Sequence, residues 1–171
     1  MSSNADVSRP VAAADALVLH LRRNALPALV SGLGGAGAIW LLAALTESLG
    51  QVLLIAPFGA SCVLLFALPQ SPLARPRNVI GGHMISTLVG LLVLTVLGDG
   101  VLAMGIGVGL AVALMQVTGT LHPPAGGDPL VVILAGAGWP FLFQPILAGT
   151  AVLVSLAWIY HRFVSRRAYP G

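Results

Sequence analysis

Charged residues are scarce in this chain. Only 8% of its 171 residues are Asp, Glu, Lys or Arg, whereas a soluble domain carries about a quarter. Hydrophobic residues make up 57% of the chain. This composition excludes a soluble globular protein. The long apolar runs also exclude an outer-membrane barrel, whose strands alternate apolar and polar residues over about ten positions. The sequence therefore predicts an all-α, polytopic membrane protein of one domain.

Lysine is absent, and cysteine occurs only once, as Cys62. All eight basic residues are Arg and flank apolar runs, so the net charge of +3 does not indicate nucleic-acid binding. A single cysteine excludes a disulfide framework or a zinc cluster. The sequence also lacks the paired carboxylates and the clustered nucleophile and base of an active site. We therefore expect no enzyme, no catalytic residues, no cofactor and no metal.

The chain divides into two short polar ends and a long apolar middle. We interpret residues 1–24 as a polar tail with an interfacial helix at 11–21, residues 25–161 as the membrane domain, and residues 162–171 as a basic tail. Five runs are apolar enough to span a bilayer, which takes about 20 residues: 26–45, 52–68, 79–97, 101–119 and 139–160. A sixth stretch, 121–138, is polar at its start and apolar afterwards, so it either spans or re-enters.

The distribution of arginine sets the number of segments. Arginines precede the first run, follow the second and follow the last, and cytoplasmic loops collect Arg. Six segments place all eight on one side of the membrane, whereas five do not. Six segments also divide as three plus three, and two halves with an odd number of crossings are related by inversion. We expect four to five full spans, the remaining segments being short half-helices broken by Pro and Gly.

The middle member of each half contains a break, at residues 56–61 and 123–128. Laid side by side, the breaks match Pro57 with Pro124 and Gly59 with Gly126. Proline lacks an N–H and glycine permits unusual dihedral angles. Paired interrupted helices in corresponding places of two halves indicate a transporter's substrate site. The alternative for each break is a simple proline kink.

These breaks predict an anion site, because free N–H groups at a helix start attract negative charge. His83 and His122 are either donors that titrate near neutrality or plain cap and interface residues, as we expect for His20 and His161. Asp128 is an N-cap, a proton or cation coupling site, or the partner of an Arg. The expected substrate-binding residues are Gly59, Ala60, Ser61, His83, His122, Pro123, Pro124, Ala125, Gly126 and Gly127.

The run Leu-His-Pro-Pro-Ala-Gly-Gly at 121–127 resembles the signature of the HPP family of integral membrane proteins. The resemblance extends to residues 56–61 and 68–83 and covers roughly 25–161. It implies a transport role, since plant and cyanobacterial members are associated with nitrite transport. The positions that carry over by resemblance are Pro57, Gly59, Ala60, Ser61, Arg75, Pro76, Asn78, Gly82, His83, His122, Pro123 and Pro124.

Together, the residues and the resemblance predict a transporter or channel for a small anion, with nitrite as the named candidate. The alternative is a non-transporting membrane scaffold or assembly subunit, held by small-residue faces such as Gly105, Gly109 and Ala113. We expect a multi-pass protein of the bacterial inner membrane. A chain of 171 residues is small for a six-segment transporter, so we also expect a homo-oligomer.

Both termini should be cytoplasmic, because the arginines that flank the first and last runs then share one side of the membrane with Arg75 and Arg77. Reporter fusions after residues 75 and 171 should both report the cytoplasm, and one after Asp99 the periplasm. A periplasmic C-terminus would mean five crossings and would remove the inverted-repeat interpretation.

Overall fold

The computed structural model describes residues 8–170, with side chains from residue 13 onward. Residues 1–7, the start of the expected polar tail, lie outside the described part. No strand occurs within 8–170, and the predicted all-α membrane architecture is confirmed. The six α-helices are α1 (Ser8–Leu49), α2 (Pro57–Cys62), α3 (Pro76–Leu97), α4 (Val101–Val117), α5 (Asp128–Ala135) and α6 (Ala148–Tyr160).

Shorter turns extend or connect these helices. α2 continues into a π-helical turn at Val63–Ala67, and α6 continues into another at His161–Ser165. A 3₁₀ turn at Pro123–Gly127 leads directly into α5. The approach to α6 consists of a 3₁₀ turn at Trp139–Leu142 and a π-helical turn at Phe143–Leu147. A further 3₁₀ turn, Pro72–Ala74, precedes α3.

Within the described part of the chain, three segments are long and apolar enough to cross a membrane: Ala13–Leu49, Pro76–Leu97 and Trp139–Ser165. Pro57–Ala67 and Val101–Val117 are apolar but shorter. The turn before α5 and α5 itself contribute five and eight residues. At about 1.5–2 Å per residue, the second and fifth segments cannot cross a hydrocarbon core of about 30 Å as helices alone.

The second and fifth segments therefore have the broken form that the Pro and Gly positions predict. Each begins with residues outside any helix, 52–55 in one and 120–122 in the other. A proline then opens the helical part, Pro57 in α2 and Pro123 in the 3₁₀ turn. Proline suits this position because its fixed φ matches a helix and its missing N–H has no helical partner there.

The two helix starts also meet inside the protein. A Cβ built on Gly127 would lie 3.5 Å from Cγ of Pro57. The relation of the two halves by inversion stays a prediction.

The first helix is longer than the sequence analysis predicts. In place of a separate interfacial helix and a span that begins near residue 26, one helix runs from Ser8 to Leu49 and includes Pro27. Membrane helices tolerate an internal proline, because neighbouring groups can satisfy the carbonyl that it leaves without an amide donor. The helix ends before Gly50, whose φ of +63° is a left-handed conformation that glycine adopts easily.

The end of the chain folds back onto the membrane domain. The hydroxyl of Tyr169 donates to the carbonyl of Ala74 at 3.2 Å. Burial raises the pKa of Tyr169 to about 12, so the phenol keeps its proton at neutral pH. His161 is not an interface residue, as the sequence analysis expects, but is buried. Its Nε2 donates to the Leu65 carbonyl at 2.7 Å, which satisfies the ring inside the protein.

Helix α3 lies at the centre of the fold and packs against α4, α5 and α6. One apolar cluster, which includes Phe58, joins α1, α2 and α6. A second cluster, which includes Val89 and Ile133, joins α3, α4 and α5. Close approach depends on glycine: a Cβ on Gly90 of α3 would lie 2.8 Å from Cα of Pro129 on α5. The residues of α5 and of the break before it are thereby held against α3.

A valine at Gly149 should destabilise the protein by about 1–3 kcal/mol, the usual effect of overpacking a filled core. Its Cβ would overlap the Phe58 ring and lie 2.6 Å from the Leu53 carbonyl oxygen. Gly37→Val is the matched control, because a Cβ on that exposed helical glycine of α1 meets nothing within 4 Å. Denaturant unfolding in detergent measures both. Equal losses would mean that α6 does not pack on α2 as described.

Candidate functional site

Four buried polar side chains from three segments meet near the two breaks. They are Ser61 of α2, His83 of α3, His122 before the 3₁₀ turn, and Asp128 of α5, each 0% exposed. Ser61 Oγ lies 3.0 Å from His83 Nε2 and 2.9 Å from His122 Nε2. His83 Nδ1 lies 2.7 Å from Asp128 Oδ2. These four residues are called the polar array below.

Helix α3 supplies a polar face to this array. His83, Ser86 and Thr87 follow the i, i+3, i+4 spacing that places residues on one side of a helix. Thr87 Oγ1 donates to Asp128 Oδ2 at 3.2 Å, and Ser86 Oγ donates to the Ala125 carbonyl at 2.5 Å. Neither Ser86 nor Thr87 is among the site residues expected from the sequence. Their spacing from His83 within an apolar span is the signal that could have identified them.

The ring of His122 is held by contacts to α3 and to the 3₁₀ turn Pro72–Ala74, which precedes α3. Its Nδ1 donates to the Leu73 carbonyl at 2.8 Å. A Cβ on Gly82 would lie 2.8 Å from Cβ of His122, so only glycine allows this approach. Asn78 Nδ2 donates to the Leu121 carbonyl at 2.9 Å. Gly82 and Asn78, two positions singled out by resemblance, thus hold the 121–127 run against the first turns of α3.

Aromatic packing fixes the ring of His83. Phe58, fully buried on α2, meets this ring edge-on at a centroid distance of 5.2 Å. The ring of His122 lies on another side, with centroids 5.1 Å apart. Both ring nitrogens of His83 are hydrogen bonded as well. The imidazole therefore has little freedom to rotate in this conformation.

Two of the three roles expected for Asp128 are wrong. It is not an N-cap: Gly127 precedes α5, and the helix start has no side-chain cap. Its ion-pair partner is His83, not an arginine. Its second oxygen, Oδ1, is buried and has no hydrogen-bond partner among the described residues. A carboxylate with one free buried oxygen has room to accept a proton or another donor, so a coupling role stays a prediction.

Backbone N–H groups at the breaks are not free, contrary to expectation. The amides of Phe58 and Gly59 donate to the carbonyls of Ile55 and Ala56 at 3.0 and 3.1 Å. The amide of Ala125 donates to the His122 carbonyl at 3.0 Å. Prolines at 123 and 124 have no amide proton. The residues just before each helix start thus supply carbonyl acceptors for these amides, which leaves side chains as the donors at this place.

The other expected site residues surround the array or lie outside it. Ala60 and Gly59 are exposed, and Gly59 lines a groove of about 760 Å³ between α1 and α2 that also contacts Cys62. In the 3₁₀ turn, Pro123 is exposed, Ala125 is buried, and Pro124, Gly126 and Gly127 are half-buried. Of the expected residues, the structure therefore brings together Ser61, His83, His122 and Asp128. Across the described residues, no group of three or more His, Cys, Asp or Glu could hold a metal ion.

Two broken segments that meet at a buried array of ionisable side chains define a class of polytopic helical membrane protein with paired interrupted helices. The family described as "HPP, transmembrane region" matches residues 10–170. The chain belongs to the HPP family.

Two relatives are transmembrane proteins of Dictyostelium discoideum. One is 38% identical over 125 residues, which cover 68% of this chain and 44% of the relative. The other is 33% identical over 127 residues, which cover 70% of this chain and 41% of the relative. The matched part is thus less than half the length of each relative. No solved structure matches this chain.

Removal of the Asp128 carboxylate should destabilise the protein strongly. Asp128→Ala leaves His83 and Thr87 without their buried partner, and breaking such a pair costs about 3–5 kcal/mol. The matched control, Asp99→Ala, removes an exposed loop carboxylate and should change stability by no more than about 0.5 kcal/mol. Denaturant unfolding in detergent measures both variants. A loss at Asp128 as small as the control's would contradict the pairing.

Proposed function

We propose that this protein transports a small monovalent anion across the membrane, with nitrite as the first substrate to test. The observation that carries the proposal is the convergence of both broken segments on the polar array. Ionisable side chains inside a membrane protein are costly and by default mark a pathway or a relay. Paired interrupted helices are typical of secondary transporters. Nitrite itself rests on the HPP resemblance.

The anion would bind between Ser61 and His122. The hydroxyl and the imidazole are 2.9 Å apart and hydrogen bonded to each other. Because the nearby amides of Phe58, Gly59 and Ala125 already have acceptors, these side chains are the donors that an anion could recruit. The array is closed to solvent in this conformation. Transport would therefore require the broken segments to part, with the Ser61–His122 hydrogen bond replaced by bonds to the anion.

The charge of this site suits an anion that has to leave again. A Lys or Arg in a dry site holds an anion strongly, whereas conduction requires binding that is weak enough to release it. Histidine gains or loses its positive charge near neutral pH. An imidazolium at His122 would attract the anion, and loss of its proton would release it.

Assembly of more than one copy is part of the proposal. Gly105 and Gly109 lie one turn apart on the exposed surface of α4, and a Cβ on either would meet nothing within 4 Å. Small residues at this spacing allow two membrane helices to approach closely. The same faces suit the alternative function, a non-transporting scaffold, so a flux measurement has to separate the two.

Purified protein in liposomes should take up nitrite, and flux should rise as the external pH falls. Nitrate, formate and chloride are compared in the same assay, with protein-free liposomes as background. His122→Ala should abolish most of the flux and its pH dependence. Ser61→Ala should weaken apparent affinity by about one neutral hydrogen bond, 0.5–1.5 kcal/mol. His20→Ala, which changes an exposed histidine outside the array, should behave as wild type.

Two results would count against this function. Absence of flux for all four anions, in protein that remains folded, would favour the scaffold. Normal flux at every pH in His122→Ala would show that this histidine is structural.

A further inference from the structure

The hydroxyl of Ser61 has more acceptors around it than protons to give. Its Oγ lies 3.0 Å from His83 Nε2, 2.9 Å from His122 Nε2 and 3.3 Å from the Pro57 carbonyl oxygen. A hydroxyl donates one hydrogen bond and accepts up to two. At least one of the two imidazoles must therefore donate its Nε2 proton to Ser61 if both contacts are hydrogen bonds.

One proton of the His122 ring can be assigned to a nitrogen from the hydrogen bond that it makes. Its Nδ1 lies 2.8 Å from the Leu73 carbonyl oxygen, and a carbonyl only accepts, so Nδ1 carries a proton. When His122 is neutral, its Nε2 has no proton and must accept. The single proton of Ser61 is then directed to His122 at 2.9 Å, and the more distant carbonyl of Pro57, at 3.3 Å, receives no proton from it.

The same count fixes the proton on His83. Since Ser61 gives its proton to His122, the contact between Ser61 Oγ and His83 Nε2 requires a proton on that nitrogen. A second proton lies between His83 Nδ1 and Asp128 Oδ2, which are 2.7 Å apart. His83 and Asp128 together thus hold one proton more than a neutral imidazole and a carboxylate do. With a neutral His122, the net charge of the polar array is zero: His83 and Asp128 are either an ion pair or a neutral ring and a neutral acid.

We propose that Ser61 relays this proton between His83 and His122, and that the anion is loaded together with one further proton. In the relay, His83 Nε2 gives its proton to Ser61 Oγ while Ser61 gives its own to His122 Nε2. No proton is gained or lost. His83 becomes neutral with a free Nε2, the new Ser61 hydroxyl proton points to it, and His122 becomes an imidazolium.

The relay has few competing charges around it. Helix α4 and the segment Trp139–Leu147, which pack against α3, carry no titratable side chain. Arg75 and Arg77 lie at the exposed start of α3, where Arg77 donates to the Thr118 carbonyl. Cys62 follows Ser61 on α2, and Tyr160 of α6 donates to the Val30 carbonyl. The charge of the array is therefore balanced chiefly within the array.

The coupling ratio follows from this balance and rests on the proposed function. An empty array of zero net charge would become negative when it binds a monovalent anion. An uncompensated buried charge is strongly unfavourable. Uptake of one more proton restores neutrality: the first proton moves to His122 beside the anion, and the second occupies the vacated Nε2 of His83. Anion and proton would thus cross together, one for one.

Nitrogen NMR of histidine-labelled full-length protein in nanodiscs tests the relay without any transport assay. His83 Nε2 and His122 Nδ1 should both carry protons at neutral pH, with His122 Nε2 free. His161 is the internal control, because its Nε2 donates to a carbonyl and no carboxylate pairs with it. His83→Gln, His122→Gln and His20→Gln assign the signals. A free Nε2 on His83 would overturn the relay.

Proton and anion uptake into liposomes, measured with an internal pH dye and labelled nitrite, tests the coupling. Wild-type protein should move one proton per nitrite above the protein-free background. Ser61→Ala should lose proton uptake and nitrite flux together, a larger effect than the loss of one hydrogen bond to the anion explains, and Ser61→Thr, which keeps the hydroxyl, should retain both. Nitrite flux without acidification would overturn the coupling. A protonated His83 Nε2 in a protein that moves no anion would support the relay and reject the proposed function.

Discussion

The carboxyl group of Asp128 is fully buried, and its contact with His83, at 2.7 Å, offsets the free-energy cost of that burial. A buried charge needs a partner with good geometry and further hydrogen bonds. Thr87 supplies one such bond, and the edge of the Phe58 ring holds the imidazole in place. Because α3 carries His83 and Thr87, the position of α3 against α5 is determined by polar contacts as well as by apolar packing.

The two breaks depend on this arrangement. A helix interrupted inside a membrane protein must find partners for its backbone within the protein. The carbonyls of Ile55, Ala56 and His122 accept from the amides at the helix starts. Ser86 satisfies the carbonyl of Ala125 from the neighbouring helix. The breaks are thus closed structures, and their chemistry is carried by side chains and not by exposed backbone.

Several features of the fold could be predicted from the sequence because their causes are local. Proline at 57 and 123, each in a largely apolar stretch, determines where the helical part of each broken segment begins. The partner of Asp128 could not be predicted in this way. His83 is 45 positions away, and their contact depends on how α3 is rotated toward α5.

The expectation of free amides was wrong for a related reason. That expectation considered each helix start alone, whereas the carbonyls of the residues just before it accept hydrogen bonds from its amides. Continuity of α1 through Pro27 was also missed, because a polar residue pair such as Arg22-Arg23 predicts a membrane boundary but does not predict where a helix ends.

The length of α1 connects the bilayer to the broken segment beside it. At about 1.5 Å per residue, its 42 residues make a rod of about 63 Å, twice the thickness of a hydrocarbon core of about 30 Å. Leu26, Leu33 and Trp40 are exposed on its surface and suit lipid contact. The apolar run at 26–45 alone matches the core, so the first part of α1, which carries Arg22 and Arg23, extends beyond it. The apolar part of α1 also forms one wall of the groove at Gly59. The portion of α1 that suits lipid contact therefore borders α2, the helix that supplies the hydroxyl of the polar array.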